Sequence, residues 1–128
     1  MKALDTFFKA DGTALSLRQK RLEILGSNIA NAATPHFKAR DIDFEAAYKS
    51  ALNDGDLTKT SANHIDMGGS AGNAEVRYRV PLSPSLDGNT VELHVEQVQF
   101  AENATHYEAT LQFLNGRIQM MQKALKGE

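Results

Sequence analysis

The chain has 128 residues, 41% of them hydrophobic, and a formal net charge of -2. This length predicts one domain, and the scattered basic residues argue against nucleic-acid binding, which needs a concentrated basic surface. The absence of cysteine excludes a disulfide framework, a thiolate metal site and a cysteine nucleophile.

Residues 5–33 predict a long amphipathic helix. Its apolar side chains recur every seven residues at Phe8, Leu15, Leu22 and Ile29, with Leu4 and Leu25 on an intermediate seam. Such spacing keeps one stripe of a helix facing a partner. Gly12 and Gly26 each cost a helix about 1 kcal/mol relative to alanine. The helix is therefore expected to depend on packing against another element.

The N-terminal helix is expected to end before Pro35, because proline disfavours the helical conformation in the residue before it. Asn28 and Asn31 lie on one face of the last turn. Side-chain amides in that position can bind neighbouring backbone or an adjoining subunit. Both asparagines are therefore candidate interface residues.

A shorter helix is predicted from Phe44 to Leu52, with Asp43 as its cap and Gly55 as its stop. The following residues, 54–73, are polar and glycine-rich, and they predict a mobile loop or one ordered by a partner. Residues 75–80 alternate between polar and apolar side chains and predict a short strand. Its pairing, within the chain or with another molecule, is left open.

The C-terminal segment from Thr90 to Ala124 predicts a second long helix, which Gly127 closes. Asn89 or Thr90 is expected to cap its start, with Glu92 placed as in a capping box. The other faces are polar and include Asn103 and Arg117. The apolar stripe has the spacing of a coiled-coil seam, which requires a partner helix. Its members are Phe100, Ala104, Tyr107, Leu111, Leu114, Ile118, Met121 and Leu125.

Signatures of catalysis are missing from the sequence. None of the four histidines is spaced for a metal site, and no serine lies in a nucleophile elbow. Asp41, Asp43 and Glu45 imitate the start of a calcium loop, but Ala46 replaces the required glycine and Leu52 the required glutamate. We therefore expect a protein that is not an enzyme and holds no cofactor or metal.

Several blocks of the sequence resemble one protein family. Residues 28–32 read Asn-Ile-Ala-Asn-Ala and are followed by Thr-Pro and an aromatic residue, Phe37, while a heptad helix lies at the C-terminus. This combination resembles the rod, hook and hook-associated axial proteins of the bacterial flagellum. Within the family, residues 39–44, 78–81, 84–91 and 96–103 are similar to proximal-rod members. His36 stands where the family usually has glycine, and histidine tolerates a positive φ at some cost.

The patterns and the resemblance together predict a mainly α fold. Its long N- and C-terminal helices would pack as a coiled-coil-like hairpin around a loop-rich middle with a short helix and a short β element. The single domain, 1–128, would divide into an N-terminal helix at 1–33, a middle region at 34–89 and a C-terminal helix at 90–128.

The resemblance implies a structural subunit of the proximal rod in the flagellar basal body, with a role in flagellum assembly and motility. Such a subunit would assemble with itself and other rod proteins, joining the export gate and the MS-ring base to the rod. It would reach the periplasmic space through the flagellar type III apparatus without a cleaved signal peptide. Neither nucleic-acid binding nor direct membrane insertion is expected.

The two helix stripes are the predicted assembly interface, and the Phe-x-x-x-apolar element of Phe44 and Tyr48 is similar to the segment that the export gate recognises. An alternative is a free-standing helical-hairpin adaptor that binds a partner helix. The candidate interface residues are Leu15, Leu22, Leu25, Asn28, Ile29, Asn31, Phe100, Tyr107, Leu111, Leu114, Ile118 and Met121.

Overall fold

Two long helices dominate the computed structural model, which describes residues 2–53 and 75–127. The predicted Gly55 stop and the predicted loop at 54–73 lie outside the described residues. In chain order the elements are α1 (Lys2–Ala30), β1 (Arg40–Ile42), α2 (Phe44–Asn53), β2 (Val76–Tyr78) and α3 (Leu93–Lys126).

Helices α1 and α3 pack side by side and run antiparallel. Contacts along the pair follow this direction: Asn28 near the end of α1 meets Glu96 near the start of α3, whereas Asp11 meets Arg117. α2 and the β1 strand pack against α1. The prediction of a mainly α fold with two long terminal helices packed together is confirmed.

The faces that pack differ from the predicted stripes. α1 buries Leu17, Leu25 and Asn28, and α3 buries Glu96 and Asn103. The prediction that Asn103 lies on the polar outer face is wrong, because its side-chain Nδ2 donates to the Arg18 carbonyl, 2.8 Å away across the helix pair. At about 100° per residue, the face of α3 that carries the buried Glu96 and Asn103 is rotated about 40° from the centre of the predicted apolar seam.

Strands β1 and β2 form a small antiparallel sheet within the chain. Arg40 pairs with Tyr78, Asp41 with Arg77 and Ile42 with Val76. The question left open for the predicted strand is thus settled as pairing inside the molecule. β1 itself was not predicted, because three residues with two charged side chains carry no alternating pattern.

The ends of the helices follow the predicted signals only in part. Gly127 closes α3 with φ 74° and donates its N–H to the Lys123 carbonyl, as predicted. Asp43 caps α2, its Oδ1 accepting the Ala46 N–H at 3.2 Å. The predicted capping box of α3 is wrong: the cap position is Glu92, whose side chain makes no capping bond. The Asn89 side chain has other partners, described below.

Candidate functional site

The two blocks of sequence around residues 31–39 and 84–91 meet in space and form a junction at one end of the helix pair. Backbone hydrogen bonds join them: the His36 N–H donates to the Asp87 carbonyl and the Thr90 N–H to the Phe37 carbonyl, each at 3.0 Å. The Ala39 N–H donates to the Thr90 hydroxyl at 2.7 Å. Two segments far apart in the sequence thus behave as one unit.

Asn89 is the centre of this junction. Its buried side-chain amide lies 3.0, 2.9 and 2.9 Å from the carbonyls of Asn31, Ala32 and Thr34. Its Oδ1 accepts the Val91 N–H at 2.7 Å. The last carbonyls of a helix and the turn after it lack partners within the helix. Asn89 supplies those partners and so ties the end of α1 to the segment that leads into α3.

A second set of contacts is made by four charged side chains, Arg21, Asp41, Arg79 and Glu96, which are called the charge cluster below. Arg21 binds both carboxylate oxygens of Asp41, at 2.9 and 3.0 Å. Arg79 donates to Asp41 at 2.5 Å and also to Glu96. Two positive and two negative charges from α1, β1, the segment after β2 and α3 therefore compensate one another.

Glu96 is fully buried, with 0% of its surface exposed. Its second carboxylate oxygen accepts the Asn28 Nδ2 at 3.0 Å. Asn28 also donates to the Arg40 carbonyl at 2.7 Å and accepts the Arg40 N–H at 3.1 Å. Because every one of these polar groups is paired, a carboxylate can be buried between the helices. Gln99 extends the network by accepting from Arg21 at 2.8 Å.

The charge cluster shifts the pKa of its members. Burial acts to raise the pKa of Asp41, but hydrogen bonds from Arg21, the Ile42 amide and Arg79, with the charge of Arg21, outweigh it, so the pKa lies below the ordinary 3.8. The hydrogen bond to Asp41 raises the pKa of Arg21. Both shifts favour the charged forms and hence an intact cluster.

His36 and Gly88 both have positive φ angles, 60° and 73°, and lie against each other. A Cβ atom added to Gly88 would lie 3.0 Å from the His36 Nδ1. The turn expected at His36 therefore does take the left-handed conformation, at a residue that carries a side chain. The His36 imidazole lies where the Cβ atom of any other residue at position 88 would crowd it.

The two residues of the export-signal candidate pack together on α2. The rings of Phe44 and Tyr48 stack with centroids 5.7 Å apart. The Arg18 guanidinium of α1 lies 4.2 Å above the Phe44 ring. Burial lowers the pKa of Arg18, and the charge of Arg21 adds to this effect. Phe44 is thus half-covered by α1 in the folded chain.

The candidate interface residues divide into covered and exposed groups. Leu25 and Asn28 are buried inside the molecule, and the Asn31 Nδ2 donates a hydrogen bond to the Ser27 carbonyl at 2.8 Å. Leu15, Leu22, Ile29, Tyr107, Leu114 and Met121 are half-buried. Three of the candidates on α3 remain over a third exposed: Phe100 at 37%, Leu111 at 38% and Ile118 at 38%. A role of the whole set in assembly stays a prediction.

Sequence reasoning missed the charge cluster and the role of Asn89. Arg21, Arg79 and Glu96 are charged residues in predicted helices or strands, where the usual interpretation is a solvated face. The available signal was the resemblance, since Arg79, Asn89 and Glu96 all fall in blocks that carry it. No pattern within the sequence indicated that these residues meet.

The described part of the chain holds no group of three or more acidic, histidine or cysteine side chains placed to bind a metal ion. Across the same residues, no helix combines the length and apolar character that crossing a membrane requires.

The comparisons with known proteins identify the family. A family model described as "Flagella basal body rod protein" matches residues 9–38. The flagellar basal body rod protein FlgB of Cereibacter sphaeroides (strain ATCC 17029) is 56% identical over 115 residues, which is 90% of each chain. The chain belongs to the FlgB family of flagellar basal body rod proteins.

Other FlgB proteins match over a similar length. FlgB of Escherichia coli (strain K12) is 42% identical over 131 aligned residues, covering 96% of this chain and 95% of its own. FlgB of Salmonella typhimurium is 42% identical over 132, covering 97% and 96%. The FlgB family is structural and not an enzyme family, and its members are named for the rod of the flagellar basal body.

Proposed function

We propose that this chain is a structural subunit of the proximal rod, which assembles through its terminal helices and joins the export gate and MS-ring base to the rest of the rod. Membership of the FlgB family supports the location. The observation that carries the assembly role is the apolar stripe on α3, which α1 leaves partly exposed.

The exposed stripe consists of Phe100, Leu111, Ile118 and, near the end of α3, Leu125, which is 82% exposed. Burying apolar surface contributes about 25 cal/mol per Å². A surface of this kind along one helix therefore favours association with another helix. The packed face and the exposed stripe lie side by side on α3, so a neighbouring subunit could bind without displacing α1.

The junction supports this proposal from the other end of the molecule. Asn89 and the charge cluster fix where α1 ends and α3 begins, through hydrogen bonds that join α1, β1, α3 and the residue directly after β2. A subunit that inserts two helices among its neighbours needs those helices held at a defined angle. The single domain predicted for residues 1–128 is consistent with such a unit.

The test is incorporation of charged variants of the stripe. Leu111→Asp and Ile118→Asp should leave the secreted monomer folded but abolish rod formation and motility in cells that lack the native chain. Gln112→Asp and Gln119→Asp place the same charge at exposed polar positions of α3 and should assemble. Complete rods built from the Leu111 and Ile118 variants would remove the stripe from the interface.

The adaptor alternative has one observation in its favour, which is that α1 and α3 of a single chain already pack on each other. An adaptor of this kind would bind one partner helix and would not assemble further into a rod. Isolated basal bodies distinguish the two functions: a rod subunit remains in them after removal of membranes, whereas an adaptor is absent from the rod.

We also propose that the chain leaves the cytoplasm through the flagellar type III apparatus and that Phe44 and Tyr48 contribute to its recognition. Both residues lie on one side of α2. Phe44→Ala should reduce the amount of exported chain, while Tyr78→Ala, at an exposed aromatic of β2, serves as the control. Normal export of the Phe44 variant would leave that residue only its packing role beneath Arg18.

A further inference from the structure

The packing between the two long helices is unevenly distributed along them. Among the described residues, those that α1 buries lie between Thr13 and Asn28, and those that α3 buries are Glu96 and Asn103. The first ten residues of α1 and the last ten of α3 contain no buried side chain. These segments, 2–11 and 117–126, are called the helix tips below.

Each tip begins next to a glycine inside its helix. Gly12 precedes the packed part of α1, and Gly116 precedes the tip of α3. A Cβ atom added to either one would meet nothing within 4 Å. Close packing therefore does not require glycine at these positions. Glycine lowers the local equilibrium constant for helix formation about fivefold relative to alanine.

The two glycines lie at the same level of the antiparallel pair. Their neighbours, Asp11 and Arg117, form an ion pair across the helices with 2.8 Å between Oδ2 and Nη1. Both helices are thus weakened at one cross-section, which lies next to Thr13, the first buried residue of α1. If the two glycines lay at different positions along the helix pair, each would only make its own helix more flexible. Because they lie at the same position, both tips can move together.

We propose that Gly12 and Gly116 form a hinge across the helix pair, beyond which the tips open and close independently of the packed region. Arg117 acts as the latch of the closed state. Its guanidinium binds Asp11 and lies 5.2 Å over the Phe7 ring, so that one side chain of α3 holds two residues of the α1 tip. Because Arg117 is partly exposed, this latch is weak enough to release.

The hinge would let a subunit adjust its tips to neighbours placed at different angles while its junction stays unchanged. This consequence rests on the proposed rod function. The hinge itself is a property of the single chain, so its test needs no rod.

Amide hydrogen exchange of the full chain tests the hinge. Amides of residues 2–11 and 117–126 should exchange faster than those of 17–28 and 96–103. Gly12→Ala should slow exchange in the α1 tip about fivefold, and Gly116→Ala in the α3 tip, with smaller changes in the packed region. Gly26→Ala, whose Cβ would touch the Phe100 ring at 4.0 Å, should act on the packed region instead.

The latch has its own variant and control. Arg117→Gln should speed amide exchange in the α1 tip, which Arg117 contacts across the helix pair. Lys123→Gln, at an exposed position of the α3 tip, should not change exchange in the α1 tip. Equal slowing of tip and packed amides in Gly12→Ala and Gly116→Ala would show one cooperative unit and overturn the hinge. Unchanged exchange in both alanine variants would overturn it as well.

Discussion

The charge cluster shows how much depends on single residues. Glu96 has no exposed surface, and its negative charge is compensated by Arg79 and by the Asn28 amide. Removing one partner from a buried ion pair leaves an uncompensated charge, which costs more than the pair itself contributes. The cluster therefore fixes which segments meet, rather than adding much to stability.

Arg79→Met should lower the free energy of unfolding by about 3 kcal/mol, because Glu96 and Asp41 lose a shared guanidinium. Arg77→Met is the matched control: Arg77 lies two residues earlier and pairs with Glu75 at the surface, so its loss should leave the free energy of unfolding nearly unchanged. Urea denaturation followed by circular dichroism measures both. Equal effects of the two substitutions would contradict the role of Arg79.

Gly88→Ala should lower the free energy of unfolding by about 2 kcal/mol, since alanine is strained at φ 73° and its Cβ would press on His36. Gly127→Ala separates the two causes, because Gly127 has φ 74° and open space around it; its cost should be about 1 kcal/mol. In a His36→Gly background, the Gly88→Ala effect should shrink towards that of Gly127→Ala. The same cost in both backgrounds would mean that the imidazole contact is unimportant.

At the scale of elements, the end of α1 depends on a residue more than fifty positions away. The prediction extended this helix to Ala33, whereas α1 ends at Ala30 and turns follow. The carbonyls of Asn31 and Ala32 accept hydrogen bonds from Asn89 instead of continuing the helix. A helix terminus is thus set partly by Pro35 and partly by a side chain from the other half of the molecule.

Asn89→Ala should lower the free energy of unfolding by about 2 kcal/mol, because three backbone carbonyls and the Val91 N–H lose their partner. The exposed Asn115 of α3 provides the control, and Asn115→Ala should change stability by less than about 0.5 kcal/mol. Thermal and urea unfolding check both variants. A neutral Asn89 substitution would show that solvent replaces the side chain at the end of α1.

For the whole molecule, the packed region and the junction form one stabilised end, and the helix tips form the other. Helices α1 and α3 and strand β1 contribute side chains to the charge cluster, and Arg79 of the cluster lies directly after β2. Removing one member of the charge cluster is therefore expected to lower the stability of the whole molecule.

Acid should destabilise the molecule through Asp41. Its folded pKa lies below the ordinary 3.8, so its contribution is complete above that value and is lost as pH falls through the folded pKa. Asp41→Asn should lower stability at pH 7 and flatten its decline below pH 4. The free energy of unfolding in urea across this range measures the effect, with the exposed Asp5→Asn as the control. Identical pH profiles for Asp41→Asn and the native chain would contradict it.

Much of the fold was predictable from local patterns. Seven-residue spacing predicted both long helices, Asp43 predicted the start of α2, and Gly127 predicted the end of α3. The site was less predictable, because Asn28 and Phe44 were named without their partners, Asn89 was named only as a helix cap, and Arg21 and Glu96 were not named as site residues. Polar residues give no indication of burial until their hydrogen-bond partners are known.

The sequence alone determined the two helices, the short strand after residue 75 and the resemblance to flagellar axial proteins, because helical periodicity and turn residues act over a few positions. Only the tertiary structure decided which face of each helix packs, that β2 pairs with β1, and that Asn103 and Glu96 are buried. The physical reason is that burying a polar group depends on compensation by distant residues, here Arg79, Asn28 and the Arg18 carbonyl.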